Sequence, residues 1–259
     1  MINIVKKIIS IAILTFFVFS CTTTQKSVSP IHNSRQILLV IAENDSVHAA
    51  KMFGFSRTGN TWQQTFTFPV VIGAKGLGWG LGLHDNADSD PAEPVKREGD
   101  GKSPMGIYRI EQSYGYLPRE MVDTKLPYEK SGPELICVDD VESEYYNLVI
   151  DISEKGLDTN NLPSHEEMLR RDDLYKYTIF VEHNTPAKSG AGCCIFLHLW
   201  SNEDSWTAGC TAMAEPEMVR LLSWLDPEQN PVLVQLTQKS YKRLCDRWEL
   251  PDISDVKMQ

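Results

Sequence analysis

The chain has 259 residues, of which 42% are apolar and 23% are charged. This balance is typical of a folded globular protein and excludes wholesale disorder, and the length suits one sizeable domain or two small ones. The formal net charge of −10 argues against a nucleic-acid partner, because nucleic acids bind to basic surfaces.

The first 21 residues have the layout of a bacterial export signal. A short basic start, MINIVKK, precedes the apolar run IISIAILTFFVF, and the segment ends in VFSC at Cys21. The run is too short for a comfortable membrane span, which favours a signal peptide over residues 1–21. The ending resembles a lipobox, in which the cysteine becomes the lipidated first residue of the mature protein. An uncleaved N-terminal membrane anchor is the alternative, and both predict that the remaining chain lies outside the cytoplasm.

The residues after Cys21 refine this expectation. Thr22 rather than an aspartate follows the cysteine. By resemblance to lipoprotein sorting in Gram-negative bacteria, this favours a lipoprotein of the outer membrane that faces the periplasm. Residues 22–35, TTTQKSVSPIHNSR, are polar and contain a proline, which predicts a tether.

From residue 36 onward, short apolar segments recur between turn signals, a pattern typical of β-strands. We predict strands in QILLVIAE, TFTFPVVIG, GIYRI, YYNLVI, YTIFVEH, CCIFLHLW and PVLVQL. Helical periodicity is clear in PEMVRLLSWL and KSYKRLCDRWEL, and LPSHEEMLRRDDLY is a third candidate helix. The predicted fold is mainly β with a few helices (α+β), with one domain over residues 36–238 and a C-terminal helix and tail over 239–259.

Five cysteines remain once Cys21 is assigned to lipid. An exported protein can form disulfides, and an odd number of cysteines leaves at least one free thiol. Adjacent Cys193 and Cys194 are not expected to pair with each other, because that ring is strained. The pairing among Cys137, Cys193, Cys194 and Cys245 stays open on sequence alone, as does the oligomeric state.

The segment SWTAGCTAM contains the candidate nucleophile. Cys210 follows Gly209 directly, and His198 ends the predicted strand CCIFLHLW twelve residues earlier. A thiol with an ordinary pKa of about 8.5 is mostly protonated at neutral pH, so an imidazole that takes its proton can make it a nucleophile for acyl transfer. Gly209 permits close backbone approach and can leave amide groups free for an oxyanion. The alternatives are a disulfide, an inert core cysteine, or a zinc site that adds Cys193 or Cys194.

Two other segments partly resemble known phosphate-binding and calcium-binding motifs. GDGKS, residues 99–103, looks like the end of a phosphate-binding loop, but Lys96 stands where its first glycine is required. HDNADSD, residues 84–90, is rich in oxygen ligands without matching an EF-hand, so we interpret it as a structural loop. Neither segment therefore matches a phosphate-binding or calcium-binding motif.

A resemblance to a known family connects two separated segments. GAGCCIFLHLWSNEDSWTAGCTAM, residues 190–213, resembles the catalytic signature of the L,D-transpeptidase (YkuD) family, in which a histidine precedes a serine- or threonine-x-glycine-cysteine motif. REGDGKSPMGIYRI, residues 97–110, is similar to the upstream GDGxTPxGxF segment of that family. The resemblance extends over residues 36–236 and implies a YkuD-like β-sandwich or barrel.

The resemblance also implies roles for individual residues. Cys210 matches the nucleophile and His198 the general base, and we expect the Cys210 sulfur within hydrogen-bond reach of a His198 nitrogen. Thr207 and Gly209 match the supporting motif positions, with a contribution to the oxyanion site. His183, in FVEHNT, matches a strand end and is interpreted as structural.

Two positions depart from the common version of the motif. Ala208 stands where a histidine is found in the common version, and Ala212 stands where an arginine often follows the cysteine. The chain therefore resembles a TAGC branch of the family. Roles that belong to that histidine or that arginine do not carry over to this sequence.

The chemistry that the resemblance implies is acyl transfer on peptidoglycan, with no metal and no organic cofactor. Cys210 would attack the third residue of a tetrapeptide stem, release the terminal D-alanine and form a thioester, which an amine of a second stem or of a cell-wall-linked protein resolves. Resolution by water would make the protein an L,D-carboxypeptidase or endopeptidase, and a non-catalytic peptidoglycan-binding lipoprotein is the alternative from another class. The expected partners are stem peptides and a membrane, through the lipid at Cys21. We also expect iodoacetamide to label Cys210 faster than Cys137 or Cys245.

Overall fold

The computed structural model describes residues 28–158 and 162–253; the predicted signal peptide and the lipidation site Cys21 lie outside them. Within the described residues the chain is mainly β with three α-helices, which confirms the predicted fold class. The strands are β1 (Gln36–Ala42), β2 (Ala49–Thr58), β3 (Thr61–Val71), β4 (Leu77–Trp79), β5 (Ser103–Arg109), β6 (Ser113–Gly115), β7 (Tyr128–Lys130), β8 (Leu135–Val138), β9 (Val149–Asp151), β10 (His165–Glu167), β11 (Tyr177–Phe180), β12 (Phe196–Leu199), β13 (Thr211–Met213) and β14 (Val232–Thr237). The helices are α1 (Ile152–Lys155), α2 (Glu215–Trp224) and α3 (Gln238–Trp248).

One large sheet organises the molecule. Its eleven strands follow the order β4-β5-β14-β1-β2-β3-β13-β12-β11-β6-β7, and β10, β8 and β9 form a separate small sheet. β1 is buried along its whole length, pairs in parallel with β14 and pairs antiparallel with β2. A strand buried on both faces needs apolar side chains at nearly every position, which explains the unbroken run ILLVIA.

The two amphipathic helices predicted from their periodicity both form. α2 buries Met218, Leu221 and Leu222, which share one face because they lie three and four residues apart. In α3, Trp248 is fully buried, and its indole Nε1 donates to Asp88 Oδ2 at 2.9 Å. This bond ties the acidic HDNADSD segment to the core, in agreement with its interpretation as a structural loop.

The predicted helix over residues 162–175 is wrong. Its only regular element is β10, which pairs antiparallel with β8. Further along, the Asp172 carboxylate accepts the amide of Leu174 at 3.1 Å. Such a local side-chain-to-backbone bond competes with helix formation, and the pairing with β8 outweighs a weak helical period.

The strand predicted in YYNLVI is shorter than expected. Only β9 is extended, because Asn147 adopts a left-handed conformation with φ of 65°. The Asn147 amide nitrogen donates to the carbonyl oxygens of His183 and Asn184, and its side-chain oxygen accepts the amide of Cys194. Asn147 therefore joins three segments near the candidate site, a role that strand periodicity does not reveal.

The segment assigned to the polar tether packs partly against the domain. Ile31 is fully buried, and Ser29 Oγ donates to the carbonyl oxygen of Trp248 at 2.6 Å. The packed part of the chain therefore begins before residue 36. No helix within residues 28–158 and 162–253 is long and apolar enough to cross a membrane.

A disulfide connects the two sheets. Cys137 of β8 is bonded to Cys194, two residues before β12 begins, across a sequence separation of 57 residues. Cys193 and Cys210 are buried free thiols, and Cys245 is a half-buried one. The pairing that the sequence left open is thus settled, and Cys194 is no longer available to the alternative zinc site.

Replacing Cys137 and Cys194 together by serine is expected to lower the free energy of unfolding by about 2–4 kcal/mol, because the disulfide restricts the unfolded chain. Denaturant unfolding followed by fluorescence measures the loss. Cys245→Ser is the matched control, expected to change stability by less than about 0.5 kcal/mol because its side chain is partly exposed. An unchanged midpoint in the double variant would contradict a structural role for this disulfide.

Candidate active site

Two neighbouring parallel strands bring His198 and Cys210 to one place. β12 pairs with β13 in a register that sets Leu197 beside Thr211 and His198 beside Ala212. Cys210 directly precedes β13, and its Sγ accepts the amide of Phe196 at 3.3 Å. Because side chains two residues apart on a strand share a face, His198 lies on the same face as Phe196. Residues 200–210 therefore form the crossover connection between these two adjacent parallel strands.

The ring of Tyr175 borders both candidate residues. Its centroid lies 5.2 Å from the His198 ring and 5.5 Å from the Phe196 ring. Tyr175 packs in the same buried apolar cluster as Cys210, and its hydroxyl donates to Glu166 Oε2 at 2.7 Å. A surface cavity of about 350 Å³ is lined in part by Arg170 and by Glu166, the hydrogen-bond partner of Tyr175. The site is therefore built from β12 and β13 together with the segment that carries β10.

The hydrogen bonding of His198 defines its tautomer. Its Nδ1 lies 2.7 Å from the carbonyl oxygen of Leu199. A carbonyl oxygen can only accept, so Nδ1 carries the proton and Nε2 is the nitrogen that can act as a base. Burial lowers the pKa of His198 to about 4, so the imidazole is neutral at neutral pH.

Cys210 is a protonated thiol at rest. Burial raises its pKa to about 12, and the Glu166 carboxylate adds to the rise. Three groups act in the opposite direction, namely the Phe196 amide, the Tyr175 side chain and the Lys96 ammonium. Between the two described side chains of Cys210 and His198 there is no hydrogen bond, so the expected direct contact is absent from this resting arrangement. The pair is neutral rather than a preformed thiolate and imidazolium.

The two separated motifs meet at the Cys210 backbone. Ser103 Oγ, from the GDGKSP segment, donates to the carbonyl oxygen of Cys210 at 2.9 Å, and Thr207 Oγ1 donates to the same oxygen at 2.6 Å. A methyl group on Gly209 would lie only 3.1 Å from the carbonyl oxygen of Lys102, so glycine is what allows the segments to come this close. The Gly209 amide donates to Thr207 Oγ1 at 3.2 Å and is thus already bonded rather than free for an oxyanion.

His183 is structural, as interpreted from the sequence. Its Nδ1 accepts the amide of Leu81, and its Nε2 lies 3.0 Å from the carbonyl oxygen of Ala191. Both ring nitrogens are therefore occupied by backbone groups. Among residues 28–158 and 162–253, no three His, Cys, Asp or Glu side chains converge in a way that could hold a metal ion.

Glu166, Tyr175 and Lys96 were missed by sequence reasoning. Glu166 and Tyr175 lie in the segment taken for a helix, where nothing in the spacing indicates their meeting with Cys210. Lys96 was noted only because it spoils a phosphate-loop pattern. Its proximity to the REGDGKSPMG motif was the one signal that could have drawn attention to it.

Alkylation by iodoacetamide at pH 7.5 is expected to modify Cys245 before Cys210, which reverses the order expected from sequence. Cys210 is only 7% exposed and is protonated, whereas Cys245 is partly exposed. Cys137 should not react without a reductant, because it is disulfide-bonded. Peptide mass spectrometry at successive times measures the order. Faster labelling of Cys210 than of Cys245 would mean that a thiolate is already formed at rest.

Two solved structures resemble this chain weakly. Bd1075 of Bdellovibrio bacteriovorus is 14% identical with a TM-score of 0.38, and the match covers 82% of this chain and 54% of that one. The helical cell shape determining protein Pgp2 of Campylobacter jejuni is 12% identical with a TM-score of 0.36, covering 81% and 52%. The chain thus spans just over half the length of each, and similarity at this level establishes no shared activity.

The sequence profile of a catalytic domain gives the stronger relationship. No curated protein matches the chain significantly. The profile of the L,D-transpeptidase catalytic domain (YkuD) matches residues 49–234, a range that includes the GDGKSP segment, His198 and Cys210. Because this match covers well over half of the chain, the protein belongs to the L,D-transpeptidase catalytic domain (YkuD) family.

Proposed function

We propose that the protein is a cysteine-dependent peptidoglycan L,D-transpeptidase in which Cys210 is the nucleophile and His198 the general base. The observation that carries the proposal is the meeting of the two motifs at one residue. Ser103 and Cys210 are 107 positions apart, yet the Ser103 hydroxyl bonds the Cys210 carbonyl oxygen and holds the nucleophile's backbone in place. Membership of the family supports the reaction class.

The first half-reaction forms a thioester on Cys210. As the stem tetrapeptide binds, His198 Nε2 takes the thiol proton while Sγ attacks the carbonyl carbon of the third residue. The carbon–nitrogen bond to the terminal D-alanine breaks, and the proton passes from His198 to the leaving amine. Because the resting pair is neutral, proton transfer accompanies the attack and does not precede it. Resting geometry that tightens only when substrate binds is common for catalytic hydrogen bonds.

The second half-reaction distinguishes a transferase from a hydrolase. An amine that attacks the thioester carbonyl gives a new amide and restores the thiol, which is transpeptidation. Water in the same position gives a shortened stem, which is the carboxypeptidase outcome. We propose amine attack because Cys210 and His198 are each only 7% exposed, so bulk water has little access to the thioester once a stem peptide covers them.

We also propose that the enzyme works as an exported lipoprotein attached through Cys21. Peptidoglycan lies outside the cytoplasm, and the disulfide between Cys137 and Cys194 is typical of proteins from oxidising compartments. The lipid would keep the catalytic domain next to the membrane.

The test of this function is incubation of the purified protein with disaccharide tetrapeptides, followed by mass spectrometry of the products. Transpeptidation predicts cross-linked dimers with the loss of one D-alanine for each link formed. Tripeptide alone would replace the proposal by the carboxypeptidase alternative. Unchanged tetrapeptide, together with an intact protein mass that never shows an acyl adduct, would leave only the non-catalytic binding protein.

A further inference from the structure

The motif around Cys210 contains no positive charge of its own. Ala208 and Ala212, on either side of the nucleophile, bring only methyl groups. Attack by a thiol creates negative charge in a buried site, where it is costly unless a cation or hydrogen-bond donors are near. A charge delivered from elsewhere in the fold would meet this need.

Lys96 brings such a charge into the interior. Its side chain is only 4% exposed, which is unusual for lysine. Its Nζ donates to Asp100 Oδ1 at 2.6 Å and to the carbonyl oxygen of Arg97 at 2.7 Å. An ammonium has three N–H donors, so these two described partners leave one donor uncommitted.

The ammonium lies against the turn that carries the nucleophile. A methyl group built on Gly209 would be 3.9 Å from Lys96 Nζ, and one built on Gly192 would be 3.3 Å from it. Gly209 directly precedes Cys210. The Lys96 ammonium thus lies between two glycine backbones, next to the residue that precedes the nucleophile and away from solvent.

The partner of Lys96 is firmly held. Asp100 accepts the amides of Arg97 and Lys102 at 2.7 and 2.9 Å, in addition to the lysine ammonium. These backbone donors keep the carboxylate in its own turn, so it serves to hold the ammonium in place. A buried charge that lost this partner would be strongly unfavourable, which explains why the two residues are paired.

Other groups near Cys210 also shift the pKa of its thiol. The Glu166 carboxylate disfavours a thiolate, whereas the Phe196 amide and the Tyr175 side chain favour it. Neutral His198 is the proton acceptor, and the positive charge of Arg170 contributes to the lowered pKa of His198. Lys96 is the cation that favours the charged form of Cys210.

We propose that Lys96 is a positioning residue of the active site, whose buried ammonium stabilises the negative charge that develops on the Cys210 sulfur. Lys96, which lies shortly before the GDGKSP segment, thus supplies the positive charge that Ala208 and Ala212 do not. This inference rests on the proposed role of Cys210 as nucleophile. It concerns the thiol itself, so it can be tested without peptidoglycan.

The test is the pH dependence of Cys210 alkylation by iodoacetamide, in a Cys245→Ser background and with the site assigned by peptide fragmentation. Lys96→Gln, which is neutral but keeps an N–H donor, should raise the apparent pKa of Cys210 and slow alkylation by about tenfold at a fixed pH below that pKa. Lys96→Arg should retain most of the wild-type profile. Lys102→Gln is the matched control: its ammonium binds the carbonyl oxygens of Asp45 and Lys75, and no shift is expected.

Asp100→Asn gives a second, opposite readout. The asparagine amide oxygen can still accept from Lys96 Nζ but carries no negative charge to offset the ammonium, so the apparent pKa of Cys210 should fall, a direction that simple loosening of the turn would not produce. Superimposable profiles for wild type and Lys96→Gln would overturn the inference. If Lys96→Gln does not fold, an unchanged or raised apparent pKa in Asp100→Asn overturns it. Failure of the proposed function would instead appear as unchanged tetrapeptide in the product assay, whatever the alkylation profiles show.

Discussion

Replacing Cys210 by alanine is expected to abolish product formation from tetrapeptides, with a loss of about 10⁴-fold or more in kcat. The sulfur is the only atom of this site that forms a bond to the substrate in the proposed reaction, so no neighbouring group can substitute for it. Mass spectrometry of the products measures the loss, and the acyl adduct on the intact protein should vanish with it.

The matched control is Cys193→Ala. Cys193 is also a buried free thiol and lies in the same apolar cluster as Cys210, but it has no part in the proposed reaction. Its removal tests whether loss of a buried thiol is itself damaging, and activity should stay within a few-fold of wild type. Substantial product from the Cys210→Ala protein would refute the proposed nucleophile, and a similar loss in both variants would point to damaged packing.

Replacing His198 by alanine is expected to lower the rate of acylation about 10³-fold, the usual contribution of a positioned general base. His32→Ala, an exposed histidine, is the control and should have no effect. The pH profile gives a second readout. Because burial lowers the pKa of His198 to about 4, the imidazole keeps its active neutral form far below neutrality.

Wild-type kcat/KM is therefore expected to stay level from pH 7 to about pH 5 and to decline as the pH approaches 4, because protonation of Nε2 removes the base. An unperturbed histidine, with a pKa of about 6.5, would already lose most of its activity at pH 5. A midpoint near 6.5 in the acid limb would contradict a buried His198 as the base. Rates of adduct formation on the intact protein, at limiting substrate, are the appropriate measurement.

The local sequence pattern predicted a strand or helix correctly where the residues of that element alone show which of its faces are buried. The unbroken apolar run of β1 and the helical spacing in α2 and α3 each predict an element that the structure confirms. Pattern failed in residues 162–175, where a weak helical period competes with pairing to β8, a strand well separated in sequence. It also failed at Asn147, because hydrogen bonds from its side chain to three backbone groups in two other segments leave no periodicity in the sequence.

The sequence by itself determined the mainly β fold, because strand and helix periodicity are local properties, and its resemblance to a known family indicated the two separated motifs and the two residues proposed for the chemistry. Only the tertiary structure decided the electrostatic state of the site. The elevated pKa of Cys210 and the lowered pKa of His198 both arise from burial, and burial is a property of the packed chain. The disulfide of Cys137 with Cys194 and the approach of Lys96 to Gly209 likewise depend on segments that only folding brings together.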